Sequence, residues 1–184
     1  MIRTISLALF LCVTLPSSSW ATTGYEGFHI ITSFNVNASK QNNNDTGIHT
    51  EETVKIMSTR IGYTLKGGFY LGVIDEAQDT NNGSDTLKTT HKGGSVGISQ
   101  DGSYIIYHSL TESKTDIDAL TSYSGKGSGM DFGHHFQVGD TLSIGAQLSF
   151  RTLEFDRAET DGITSKIDVT THWMRPMITF GLTF

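Results

Sequence analysis

Thiol chemistry is almost absent from this chain: the single cysteine among its 184 residues is Cys12, which falls in the opening stretch. Met1 to Arg3 carry one positive charge, Ile5 to Leu15 form a mostly apolar core, and Ser19-Trp20-Ala21 places small residues where a signal peptidase inspects them. Residues 1–21 therefore read as a signal peptide and residues 22–184 as one domain with no disulfide or cysteine metal site. Leu9-Phe10-Leu11 ahead of Cys12 lacks the small residue that precedes a lipidated cysteine. Positive charge is scarce too. Without Arg3, 12 Lys and Arg face 19 Asp and Glu, a net charge of −7, which argues against a nucleic-acid partner. No second apolar run approaches the roughly 20 residues of a membrane helix. Asp79 to Asp85 offers oxygen ligands at alternate positions, but its glycine comes one place early and no Glu follows at calcium-loop spacing. No metal or cofactor is expected.

What the chain does have is alternation with a period of two, the mark of strands with one apolar and one polar side. Eight such segments are expected: Gly27–Ala38, Glu52–Leu65, Phe69–Ile74, Thr86–Ser99, Ser103–Leu110, Ser122–Val138, one opening at Leu142, and Lys166–Phe184. Four long polar connections (Lys40–Thr50, Asp75–Asp85, Glu112–Thr121, Asp156–Ser165) alternate with three tight ones (Lys66–Gly68, Gln100–Gly102, Gly139–Asp140). Nearly all the acids fall in or beside the long connections. In strand five, Tyr104-Ile105-Ile106-Tyr107 is apolar on both parities, so its faces stay unassigned.

The last stretch, Thr171 to Phe184, sets Phe184, Leu182, Phe180, Ile178 and Met174 on one parity against Thr183, Gly181, Thr179 and Arg175. Phe180, Leu182 and Phe184 resemble the C-terminal assembly signal of bacterial outer-membrane barrels, which end on Phe and are read by the barrel-insertion machinery. With the even strand count and the long/short rhythm, the mature chain resembles the small eight-stranded outer-membrane barrels of the OmpX, OmpW and OmpA membrane-domain kind. That resemblance implies an all-β, transmembrane, antiparallel up-and-down barrel, integral to the bacterial outer membrane, with four long external loops and three short periplasmic turns. Outer-membrane lipids or lipopolysaccharide are then its surroundings. The competing architecture is a secreted β-sandwich, whose strands also alternate.

An eight-stranded barrel is just wide enough for side chains to fill. The inward parities supply Arg60, Arg151 and Arg175 with Asp131, Gln147, His29 and His135. Charges in a narrow lumen need partners. Asp131 and Arg151 sit on adjacent strands and can pair, while Arg60 and Arg175 are expected to reach carbonyls, histidine or water. A plugged lumen follows, with a narrow solute path as the alternative. Catalysis on lipid needs a nucleophile beside a base. His108 and Ser109, like His134 and His135, are consecutive and point to opposite faces, and no His-x-Ser spacing occurs. A non-enzymatic role is expected. Finally, the outward side of strands four and six carries Lys92, Gly94, Val96, Ser124, Lys126 and Ser128, a poor lipid face but one where backbones can approach closely. A homo-oligomeric ring that holds lipid is the expectation there, against lysines that merely reach headgroups.

Overall fold

The computed structural model describes residues 26–43, 48–82 and 86–184. The segment 1–21 expected as a signal peptide, with Cys12, and the Gly83–Asp85 end of the calcium-like loop lie outside the described residues, as do the side chains of residues 39–51. Eight antiparallel strands follow in order: β1 (Gly27–Asn43), β2 (Ile48–Thr64), β3 (Phe69–Asn81), β4 (Thr86–Gln100), β5 (Ser103–Asp116), β6 (Thr121–Gln137), β7 (Leu142–Thr160) and β8 (Ile163–Thr183). Each pairs with its sequence neighbours and β8 returns to β1, closing the barrel. Among the described residues there is no helix.

Alternation decides the two surfaces. On β7, Ser143, Gln147, Ser149 and Arg151 are buried inside, while Leu142 and Ile144 are exposed outside. Strand β5, whose faces the sequence left open, turns Tyr104, Ile106, His108 and Leu110 inward and Ile105 and Tyr107 outward. Tyr70 and Ile74 of β3 likewise point inward, as the broken alternation there requires. The outside is therefore an apolar belt, and its rings pack in cross-strand pairs such as Phe34 with Phe180 (6.2 Å) and Phe132 with Phe150 (5.8 Å).

The long/short rhythm of connections does not survive. The strands run on through most of the polar segments: β3 continues to Asn81, β5 to Asp116, and β7 and β8 reach 19 and 21 residues and meet in the Asp161-Gly162 turn. Both turn residues have positive φ (51° and 77°), the backbone of a two-residue primed hairpin. The physical reason is that ladder hydrogen bonds are indifferent to side-chain polarity. Where the outer face is polar a strand persists, but its apolar alternation disappears. Acids assigned to loops accordingly stand on strands, Asp75 facing outward beside Lys92 and Glu76 facing inward. The connection from β5 to β6 is fixed by Asp118, whose Oδ1 accepts hydrogen bonds from the Leu120 and Thr121 amides (2.8 and 2.7 Å). Those donors hold its carboxyl below the usual range. The turn is thus intact at neutral pH and loosens only as pH falls through that lowered value, which hydrogen exchange at Leu120 and Thr121 would report.

Closure is the narrowest part of the design. The β1–β8 ladder runs only from His29 opposite Thr183 to Phe34 opposite Ile178. It is extended at the turn end by reciprocal Phe28 and Phe184 backbone bonds (3.1 and 2.9 Å), with their rings 6.4 Å apart. Deleting Phe184 removes both bonds from this short seam. The fraction of protein migrating as heat-modifiable folded barrel should fall, and a wild-type fraction would show that the terminal pair contributes nothing to assembly.

Candidate functional site

The chemistry-bearing side chains converge inside the barrel, around Asp131 of β6. Its Oδ1 accepts from Arg151 Nη1 on β7 (2.7 Å), and its Oδ2 from Arg60 Nη1 on β2 (3.1 Å) and His108 Nε2 on β5 (3.0 Å). Gln147 of β7 joins them: its Oε1 accepts from Arg60 Nη2 (3.0 Å) and the Tyr104 hydroxyl (2.8 Å), and its Nε2 donates to Ser149 Oγ (2.7 Å). Arg151 Nη2 reaches across to Glu76 Oε2 on β3 (2.8 Å). Asp131, Glu76, Arg60 and Arg151 are all at most 2% exposed.

Two features make the cluster tolerable in so dry a place. Its formal charge closes, since two guanidinium groups face two carboxylates. The terminal guanidinium nitrogens of both arginines also reach charged or polar acceptors, as a buried ion pair needs if attraction is to offset desolvation, while Arg60 Nε, Arg151 Nε and Glu76 Oε1 have no protein partner. The arrangement also has a direction. In a ring of eight strands, β2 lies opposite β6 and β3 opposite β7, so Arg60–Asp131 and Arg151–Glu76 both cross the barrel. They brace it from wall to wall.

The expected Asp131–Arg151 pair is present. Arg60, expected to reach carbonyls, histidine or water, instead shares Asp131, with its guanidinium 4.8 Å above the Tyr104 ring. Arg175 stands apart from the cluster, 5.4 Å over the Trp173 ring. His135 lies toward the turn end, packed 5.0 Å from Tyr104, and with His29 it lines a mouth holding about 10 Å³ of free space, room for roughly one water. Sequence reading missed Glu76, hidden in a supposed loop, and the partners Ser95, His108 and Tyr104. The inward parity of β5 would have revealed the last two had its register been readable.

Ser95 Oγ lies 2.8 Å from His108 Nδ1, so a serine, a histidine and an aspartate do form a hydrogen-bonded line, assembled from β4, β5 and β6. With Asp131 ionised, Nε2 carries the ring proton and Nδ1 accepts from the serine. Ser95 is 2% exposed, inside the barrel, and the line contributes one of the hydrogen bonds to Asp131. On the outside, Lys92 Nζ is 4.0 Å from Asp75 Oδ2, both exposed, while Gly94, Ser109 and Ser128 are register neighbours across β4, β5 and β6.

The comparisons add little to this geometry. No protein-family model matches the chain, and no curated protein does. Among solved structures, the crystal structure of OpdQ from Pseudomonas aeruginosa is similar at 12% identity and a TM-score of 0.15, over 89% of this chain. The chain spans 64% of the length of that protein. The class that the geometry defines is a closed, eight-stranded antiparallel barrel with an internal charge cluster.

Truncating Asp131 to Ala leaves two guanidinium groups facing one carboxylate, which in a dry interior costs on the order of 3 to 5 kcal/mol. Asp161→Ala, in an exposed turn, should cost far less. Equal denaturant midpoints for the two variants would show that Asp131 is hydrated in solution.

Proposed function

We propose that the chain is an integral outer-membrane barrel with a side-chain-filled lumen, non-enzymatic, acting through its outer surface and assembling with copies of itself. The observation that carries this reading is the inversion of the molecule: charge is packed inside, while large apolar residues such as Val73 (57% exposed), Ile98 (61%) and Ile178 (60%) cover the outside. A soluble barrel exposing such a belt would aggregate, whereas a bilayer requires it. Closure of the sheet meets the other demand of lipid, that backbone groups be paired, along the seven strand-to-strand seams that run long and along the shorter β1–β8 ladder. The cross-lumen cluster supports a closed lumen, and this reading expects no porin-like conductance.

The belt is uneven, and that favours self-association. On β7 and β8 it runs nine residues, Leu142 to Phe150 and Met174 to Leu182, which at ~3.4 Å per residue is about 30 Å along the tilted strand. On β3 it runs five, Phe69 to Val73, before Asp75 faces outward, and on β4 Lys92 follows Gly94 and Val96. A five-residue belt, about 17 Å, is too short for an apolar band about 25 Å tall. Protein on that side relieves the mismatch, and the small Gly94–Ser109–Ser128 row allows close approach. Rotational repetition then gives a closed ring around a lipid-filled centre.

A Cβ added at Gly94 meets nothing within 4 Å, so Gly94→Trp should leave the single barrel intact. In mild detergent the wild type is expected as an oligomer with bound lipid, and Gly94→Trp or Ser128→Trp as smaller species. A monomeric wild type, or oligomers indifferent to both changes, would remove the interface. Planar-bilayer recordings test the lumen separately: a large, stable conductance would put the channel reading first.

A further inference from the structure

The mouth at the turn end of the lumen is built from polar side chains that the charge cluster leaves unused. His29 of β1, Thr64 of β2, Tyr70 of β3, His135 of β6 and Ser143 of β7 line it, each at most 5% exposed. Its free space of about 10 Å³ suits a single water-sized guest. Glycines on the wall between the two histidines make that space. A Cβ at Gly145 of β7 would overlap the His135 ring, and one at Gly181 of β8 would overlap Ser143 Oγ and stand 3.8 Å from His135 Cε1. Gly181 in turn pairs with Ile31 of β1, two residues from His29. The His135 ring thus lies along bare backbone between β6 and β1 and shares one mouth with the His29 ring.

The donor set selects the guest. His29 is held by Thr183, whose Oγ1 lies 3.0 Å from its Nδ1. In metal sites a hydrogen bond at one ring nitrogen orients the other toward the ion. His135 is held by its packing on Tyr104, and Tyr70 adds an oxygen donor, a buried hydroxyl with no protein partner. No carboxylate lines the mouth, which disfavours calcium and magnesium. Zinc sites take three or four protein ligands, and no group of three His, Cys, Asp or Glu among the described residues could hold a metal. Copper(II) heads the affinity order of the divalent ions and accepts tetragonal sets of nitrogen and oxygen that solvent can complete.

We propose that the turn-end mouth binds one copper(II) ion through ring nitrogens of His29 and His135, with the Tyr70 hydroxyl and solvent water as further ligands. Coordination replaces the contacts that those ring nitrogens otherwise make. The ion ties β1 to β6 across the two strands between them, at the end where the β1–β8 ladder closes the sheet. His134 and His172 supply the contrast, since each is a histidine on the outer wall, bonded to Ser103 (2.9 Å) and Thr152 (3.0 Å). The site lies inside the barrel and is independent of any assembly of copies through the outer surface.

The chain from residue 22 onward, carrying no histidine tag, is refolded in detergent, checked by heat-modifiable mobility and titrated with copper(II) sulfate. The first ion bound should show, by electron paramagnetic resonance, hyperfine splitting from two imidazole nitrogens. His29→Gln and His135→Gln should each lose one of the two, and His134→Gln should keep both. Thr183→Val removes only the orienting hydrogen bond and should weaken uptake by about 10- to 100-fold. The wild-type spectrum needs no variant to fold: a first-bound copper with fewer than two imidazoles overturns the site. So does a two-nitrogen spectrum that survives in folded His29→Gln or His135→Gln, or that is lost in folded His134→Gln.

Discussion

The charge cluster on Asp131 is the constraint around which the rest of the molecule is arranged. This barrel turns its wide apolar belt outward and keeps only small apolar clusters inside, such as Ile74, Leu110, Leu153 and Phe155. The rest of the interior is filled by polar side chains, and polar groups removed from water need partners. Two guanidinium groups and two carboxylates, each pair spanning opposite walls, satisfy that demand and fix the barrel's cross-section together. The serine–histidine line and Gln147 then orient the carboxylate and the arginine that they touch.

Legibility in the sequence followed hydration. Where one side of a strand meets an apolar surface and the other the lumen, alternation is forced, and the strands from Leu142 and toward Phe184 could be read residue by residue. Beyond the belt the outer face turns polar while the inner face mixes buried apolar and polar residues such as Glu76, Leu153 and Phe155, so the alternation is lost and polar stretches of β3, β5 and β7 looked like loops. Glu76 was lost for that reason. Its neighbour Asp75 faces solvent, and nothing in the composition of Asp75 to Asp85 marks one of those acids as the counter-charge for Arg151. Arg60 illustrates a second limit. Its inward parity was readable, but its partner lies on β6, 71 residues away, and only closure of the sheet brings them together.

The outer surface divides by height. Strands β2, β7 and β8 present tall apolar faces, whereas β3 and β4 reach charge within a few residues of the turns. Such asymmetry costs a solitary barrel in a bilayer, because either lipid thins on one side or charge enters hydrocarbon. It costs an assembly nothing where the short side meets protein. The exposed Lys92–Asp75 pair partly neutralises the rim within one chain, above the Gly94–Ser109–Ser128 row.

The barrel is closed by different means at its two ends. At the turn end, backbone bonds from Phe28–Phe184 to Phe34 opposite Ile178 join first and last strands directly. Above Pro176 that ladder is absent, and β1 and β8 keep their places only through their other neighbours. Arg151 lies opposite Trp173, which is above the end of the seam ladder, and Arg151 is the residue that ties β7 across the lumen to Glu76. The internal brace thus ties a row above the end of the seam ladder to one inside it, since Glu76 runs in register through Ser58 to Ser33. A sheet closed by hydrogen bonds throughout could tolerate a looser lumen; one interrupted by proline at its seam needs its cross-section fixed from inside, which gives so costly a buried cluster a structural reason at that height.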